Sequence, residues 1–374
     1  MKFKIPGKAF QTNLAVTSKV LNAKNTISIL DNFLLKVEGN RLWITGSDSE
    51  TTMVSWVEIF EVEGEGEVAV PSKTLLEMSK EIGNQPLSFV MNDETRHIDI
   101  SYLNGHFEFM GIDGAEFPRR ATSEEEGREF TVQADVIAKG IENTLYAVSS
   151  DTLRPTMTGI FWDIKEDRII FVSSDTHKLV RYINSQAKPG FEGGFILPAK
   201  PAGIVRSMIG KEDTEVKMKI NSKGAIFEVG QFRMSCKFIM GNYPNYNRVI
   251  VENSPYHMVI DRAAFLNAVR RVSLFASKST SLVKCEISAT QLKMVARDFD
   301  YSTLGEEVVE CSYDGQPMMI GFATNYMMDI LSHLECDELK VSLVDPARPG
   351  LFEPLEQQPD ENIVVLQMPI QVLE

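Results

Sequence analysis

One short phrase of sequence is written three times in this chain. It is clearest in RIIFVSSDTHKLVRY, residues 168–182, where the apolar run Ile169 to Val172 ends on a Ser-Ser-Asp-Thr turn and leads into a second short strand. RLWITGSDSETTMV at residues 41–54 and QLKMVARDFDYSTL at residues 291–304 have the same form. Asp48 and Asp175 stand 127 residues apart, and Asp175 and Asp298 stand 123 apart. A 374-residue chain with a period near 125 is a row of domain-sized copies, because solenoid repeats run only about 20–50 residues.

Other landmarks keep this period. Each copy opens on a helix-like segment. Phe10, Leu14 and Leu21 form a stripe after Pro6-Gly7. Asp135 occupies an N-cap position before Ile137, Ile141, Leu145 and Val148, and Asp261 does so before Phe265, Val269 and Val272. A second helix follows the strands. It begins at VPSK (Val70) and LPAK (Leu197), with Pro71 and Pro198 at strand-to-helix junctions where a missing N–H costs little. The third copy, from Gly321, keeps the apolar face (Met327, Ile330, Leu331, Leu334) without the proline. GAEFP and GNYPNY place Pro118 and Pro244 126 residues apart. Segments such as HIDISYL and HFEFMGI alternate as strands do.

The expected fold is therefore α+β: three similar domains, 1–122, 128–250 and 255–374, each of antiparallel strands with two helices. Solvated linkers are expected at the acidic stretch 123–127 and around 251–255. Residues 345–360, acidic and proline-containing, read as an exposed loop between the last two strands. Similar domains joined head to tail curve, and if the rotation divides a circle two chains close a ring.

Composition narrows the chemistry. No apolar run reaches the roughly 20 residues that span a bilayer, the N-terminus lacks an apolar signal core, and the four cysteines form no close pair. A cytoplasmic protein with reduced thiols is expected. Ser173, Asp175 and His177 suggest a hydrolase, but a nucleophile–base relay is usually assembled from distant segments, and the other copies carry Glu50 or Asp300 in place of His177. Phosphate-cradling glycine motifs are absent and the five histidines appear without ligand spacing, so no metal, cofactor or catalytic residue is expected. A net charge of −14 excludes indiscriminate attraction to phosphate. It leaves room for a local basic surface, since charges are screened beyond about 8 Å at physiological salt. Lys73, Lys80, Lys200 and Arg206 recur on the second helices. Lys19, Lys24, Lys139, Arg270 and Arg271 lie on or after the first helices, with Arg154 and Lys278 in loops. Aimed at one interior, they would form a sequence-independent phosphate track. A hydrolase using Asp175 and His177 and a protein-interaction scaffold remain the alternatives.

ISILDNFLLKVEGNRLWITGSDSE, VSSDTHKLV, YPNYNRVI, IGFATNYMMDIL and VVLQMPI, in this order, resemble the bacterial DNA polymerase III β subunit family, the sliding clamps. The resemblance covers essentially the whole chain. It implies a head-to-tail homodimeric ring of three clamp domains per chain, with helices inside and sheets outside, acting as a processivity factor on double-stranded DNA. It implies Lys24, Lys73, Lys80, Arg154, Lys200 and Arg206 as DNA-facing. It implies a peptide pocket of Met157, Ser174, Thr176, His177, Lys178, Leu179, Pro244, Arg248, Val249, Leu366, Met368, Pro369 and Ile370. The partners implied there are the polymerase III catalytic subunit, the clamp loader, and other polymerases and repair proteins. Phe107 and Phe109, taken as pointing outward from one strand, and Leu274 with Phe275 match the family's subunit contacts. Thr176 and Lys178 depart from the Gly and Arg common in the family. The ending Ile370-Gln371-Val372-Leu373-Glu374 is two residues longer than usual and lacks the family's Arg.

Overall fold

The computed structural model describes residues 1–118, 126–251 and 253–372. Part of the expected acidic linker (123–125), Glu252 and the final Leu373-Glu374 lie outside the described residues. The chain forms two compact units, Met1–Ile137 with Lys200–Phe238 and Ala138–Ala199 with Ile239–Glu374, so the middle copy contributes to both.

The secondary structure is more regular than the threefold repeat implies. Each copy consists of two halves, and each half begins as a strand, a helix and three strands. The helices are α1 (Gly7–Thr17), α2 (Ser72–Ile82), α3 (Ala134–Leu145), α4 (Ala199–Met208), α5 (Arg262–Ser273) and α6 (Thr324–His333). Their starts follow from local chemistry. Asp261 caps α5 by accepting from the Ala264 amide (2.6 Å), and Pro71 and Pro198 each end the strand that feeds a helix. Asp135 departs from its expected cap role: strand Arg128–Gln133 runs directly into α3, so Asp135 lies inside the first turn, where its charge suits the helix dipole.

In the first unit, five strands form one sheet and nine form another, and every strand pairing among the described residues is antiparallel. At its centre Phe3 stacks on Phe89 and Phe10 meets the same ring edge-on, with centroids 4.8 and 5.4 Å apart. Leu14, Phe33, Leu35, Leu75 and Ile100 surround them. The second unit is built on a twelve-stranded sheet. Fully buried Trp162 lies edge-on to Phe171 (4.6 Å) and stacks on Phe195 (5.2 Å). Residues 345–360 are not one loop. Gly350–Pro354 is a strand paired on both sides, with Leu339–Ser342 and with Val365–Gln367, and Leu351 and Phe352 are buried. The prolines at 349 and 354 bracket that strand rather than interrupt it, as expected for a residue tolerated at strand ends.

Two junctions join neighbouring copies. Strand Thr51–Glu58 of the first copy pairs with Phe232–Lys237 of the second, and Lys178–Asn184 of the second pairs with Glu361–Gln367 of the third. Both follow one rule: the last strand of a first-half βαβββ meets the last strand of the next copy's second half. Among the described residues, two strands of this kind have no such partner. Gly105–Met110 is a sheet edge, and Thr303–Tyr313 meets the strand Tyr256–Asp261 only through its last residues, 311–313.

Gly140 in α3 has a packing role. A Cβ there would lie 2.5–2.6 Å from three atoms of the buried Phe171 ring. Alanine normally favours a helix interior over glycine by about 1 kcal/mol, but overpacking of a filled core costs about 1–3 kcal/mol. Gly140→Ala is expected to lower stability by about 1–2 kcal/mol in urea unfolding; a rise would contradict this packing.

Candidate functional site

The repeated aspartate is the structural key of the turn. Asp48 Oδ1 accepts from the amides of Glu50 and Thr51, Asp175 Oδ1 from His177 and Lys178, and Asp298 Oδ1 from Asp300 and Tyr301, at 2.7–3.2 Å. A carboxylate holding two amides of its own turn fixes the reversal after each strand. The turn places Ser49 and Thr176 at φ 71° and 79°. For a β-branched residue that region is strained, which explains why glycine suits the position that Thr176 occupies.

The middle copy adds to this turn a buried lysine and a stacked histidine. The Lys178 side chain is buried, with its ammonium 2.7 Å from Asp175 Oδ2, 3.4 Å from Asp329 Oδ2 and 4.7 Å from the centre of the Tyr326 ring. His177 stacks on the same ring at 5.1 Å. Met368 donates its amide to the His177 carbonyl at 2.8 Å, tying the C-terminal segment to the turn. A hydrolytic relay is excluded by these partners. Asp175 is occupied by two amides and an ammonium, Ser173 Oγ donates to the Thr144 carbonyl, and exposed His177 lies flat on Tyr326.

Beside the turn lies an apolar surface. Leu179 and Leu366 are opposite each other in the strand pair and buried, together with Val172, Tyr246, Ile250, Leu351 and Val364. Val249 and Met368 are 44% and 40% exposed, Pro244 and Arg248 are exposed, and Met157 and Pro369 are half-buried. Leu366 is therefore core, whereas Val249 is available to a ligand. Ser174 is buried and donates to the Lys178 carbonyl (2.8 Å). Ile370 is pinned by its amide to the Gly321 carbonyl (2.8 Å), where a Cβ on Gly321 would strike Ile370 and Val372. Ile370 thus forms an isolated antiparallel bridge with Gly321 of strand Met318–Ala323. Sequence reasoning missed Tyr243, which stacks on Phe161 at 5.0 Å, and Tyr326 with Asp329, which hold Lys178. The two tyrosines of GNYPNY were visible as a repeat landmark; nothing local links α6 to a turn about 150 residues earlier.

The basic residues divide by their partners. Lys24, Lys73 and Lys80 are exposed, the latter two on α2. Arg154 pairs with Asp151 at 3.8 Å, and Arg206 reaches the Ile209 carbonyl at 3.4 Å. Lys200 is a tether: its ammonium meets Asp48 Oδ2 and Asn22 Oδ1 at 2.7 Å and the Val20 carbonyl. On the edge strand Gly105–Met110, Phe107 and Phe109 face the same side as buried Ile98 and Ile100, with which they pair, and not outward. They border a cleft of about 600 Å³ shared with Thr74, Met78 and Lys80 of α2. Leu274 is 81% exposed just beyond α5, and Phe275 is 39% exposed. All four cysteines are free, and burial pushes the Cys236 and Cys285 thiols up to about 12. No helix among the described residues is long and apolar enough to cross a membrane.

Three family models match the chain in succession: the DNA polymerase III beta subunit N-terminal domain over residues 1–121, its central domain over 131–245 and its C-terminal domain over 247–371. The chain belongs to the DNA polymerase III beta subunit family. Beta sliding clamps of Staphylococcus epidermidis and Staphylococcus aureus are 26% and 25% identical to it, each aligned over 99% of both chains. In fold it matches the beta subunit of Thermotoga maritima (TM-score 0.92, 23% identity) and a Pseudomonas aeruginosa sliding clamp bound to griselimycin (0.93, 22%), over 100% of both chains. As a beta subunit family member it is a DNA sliding clamp, a processivity factor of DNA polymerase III with no catalysis of its own. The structural partners that occupy Ser173, Asp175 and His177 agree with that role.

Asp175→Ala would leave two turn amides without their acceptor and the buried Lys178 ammonium with Asp329 alone. Breaking a buried pair from one side costs about 3–5 kcal/mol. Because Asp329 remains, a loss of about 2–3 kcal/mol is expected in denaturant unfolding; an unchanged midpoint would contradict the network's role.

Proposed function

We propose that two copies of this chain close head to tail into a ring around duplex DNA. The observation that carries this is the pair of unsatisfied strands. Inside the chain, each last strand of a first half already has a cross-copy partner, except Thr303–Tyr313; each last strand of a second half has one, except Gly105–Met110. A second copy supplies the missing partner at both ends, and this two-fold closure leaves neither edge open.

The internal junctions also supply a register. Met234 pairs with Met53, and Phe107 stands 127 residues before Met234. The hairpin pairs Ser47↔Thr52, Ser174↔Leu179 and Arg297↔Leu304 make Gly305 the counterpart of Met53 and Val180. Phe107 of one subunit therefore faces Gly305 of the other. Phe275 already covers Gly305, since a Cβ there would lie 2.6 Å from its ring. Phe107, Phe275 and exposed Leu274 are thereby assembled into one apolar contact.

Lys24, Lys73 and Lys80, with Arg154 and Arg206, act as weak sequence-independent phosphate contacts; Lys200 contributes chiefly by holding the segment at Val20–Asn22. Topological retention makes weak attraction sufficient, and the acidic remainder discourages DNA from adhering elsewhere. The surface formed by the Asp175 turn, Pro244, Arg248, Val249 and Met368–Pro369 takes short apolar peptide motifs. Its users are the polymerase III catalytic subunit, the clamp loader, and other polymerases and repair proteins in the cytoplasm. An apolar cleft rimmed by a few polar groups suits exchangeable peptide ligands of moderate affinity. The griselimycin-bound Pseudomonas aeruginosa clamp is consistent with a ligand site in this fold.

Loading the protein onto nicked circular DNA and separating bound from free by gel filtration tests the ring. Retention on the circle that is lost when a restriction enzyme linearises it is expected; equal retention on linear DNA would overturn the proposal.

A further inference from the structure

We infer that the outward face of the edge hairpin His97–Met110 is a zinc-class divalent metal site formed by His106, Glu108 and Asp99, with His97 beside it. The two strands, His97–Tyr102 and Gly105–Met110, each carry a histidine and a carboxylate two residues apart, His97-x-Asp99 and His106-x-Glu108. Strand alternation puts all four side chains on one face. The histidines that look scattered in the chain are therefore spaced for chelation, but by strand period across a hairpin rather than within a helix or loop.

The geometry lets three protein donors reach one ion, leaving a fourth position to water. Donor atoms of Asp99, His106 and Glu108 lie within 4.8 Å of one another. The two carboxylate oxygens of Glu108 lie 3.4 Å from His97 Nε2 and 3.6 Å from His106 Nε2. Bonds of about 2.0–2.2 Å at tetrahedral angles place donors roughly 3.3–3.6 Å apart. The electrostatics point the same way. Asp99 and Glu108 are directly opposed across the strand pair, an arrangement that destabilises a sheet unless positive charge intervenes. Asp99's neighbour on the other side is Val90, and Arg96 is drawn away to Asp113 at 2.6 Å. Lys2, one strand further along the same row, is held by Glu63 at 2.9 Å. Imidazole and carboxylate donors together fit zinc, copper or nickel better than magnesium or calcium.

Its ligands face away from the side that carries Phe107 and Phe109, and a metal titration reads binding directly whatever the state of subunit association. Untagged full-length protein is titrated with Zn²⁺ against a chromophoric chelator, alongside the single variants His106→Ala and Glu108→Gln and a distant control, His257→Ala. One zinc per chain with micromolar or tighter affinity is expected, weakened at least about tenfold in both site variants and unchanged in the control. Failure of the native protein to compete with the chelator, or equal binding by either site variant, would overturn the assignment. Circular dichroism of the variants establishes that these exposed substitutions leave the fold intact.

Discussion

Backbone amides and carbonyls along an open sheet edge require partners, and this chain meets that requirement by pairing one repeat with the next. Thr51–Glu58 with Phe232–Lys237, and Lys178–Asn184 with Glu361–Gln367, continue the sheets across copy boundaries instead of capping them. Each such hydrogen bond nets only about 0.5–1.5 kcal/mol, so the apolar residues beneath decide the strength. At the second junction these include Leu179 and Val172 from one copy and Leu366, Val364 and Leu351 from the next. Among the described residues, the same device leaves one strand edge open at each end of the series. The proposed dimer continues that internal rule.

The middle turn differs from its two counterparts in what is added to a shared scaffold. All three copies use an aspartate to hold two amides, and that is scaffold. Only the second copy adds a buried lysine between Asp175 and Asp329, a histidine stacked on Tyr326, and a backbone bond to the C-terminal segment at Met368. These lock the rim of an apolar surface in place. Thr176 at φ 79° is the strained part of that rim. Lys178 supports the rim from below and is not itself a surface contact.

Repeats, helix faces and the α+β class were legible because they are local: Pro71 and Pro198, the Asp48/Asp175/Asp298 turns, and the stripes on α1, α5 and α6 need only neighbouring residues. What escaped was set by partners distant in sequence. Asp135 has the composition of a cap, but the strand before it runs straight into α3. Residues 345–360 look like a loop because prolines and acids outnumber the buried pair Leu351-Phe352. Phe107 and Phe109 alternate correctly, yet which face is inward depends on Ile98 and Ile100 across the hairpin. The bond from Lys200 to Asp48, 152 residues earlier, has no local trace in the sequence. The doubling of each copy into two βαβββ halves left no clear trace in residue types, since strand order, not side-chain identity, carries that symmetry.

On the proposed ring, a net charge of −14 and a DNA partner are reconciled by topological retention, which requires the two open strand edges to meet. Hydrogen exchange resolved to single amides tests this most directly, comparing residues 105–110 and 303–308 with the internal junction strand 232–237. At concentrations where the protein is dimeric, the account predicts slow exchange in all three segments, with the amides of the first two that point away from their intrachain partners becoming fast on dilution to monomer while the third segment stays protected. Fast exchange of 105–110 and 303–308 in the dimer would contradict it.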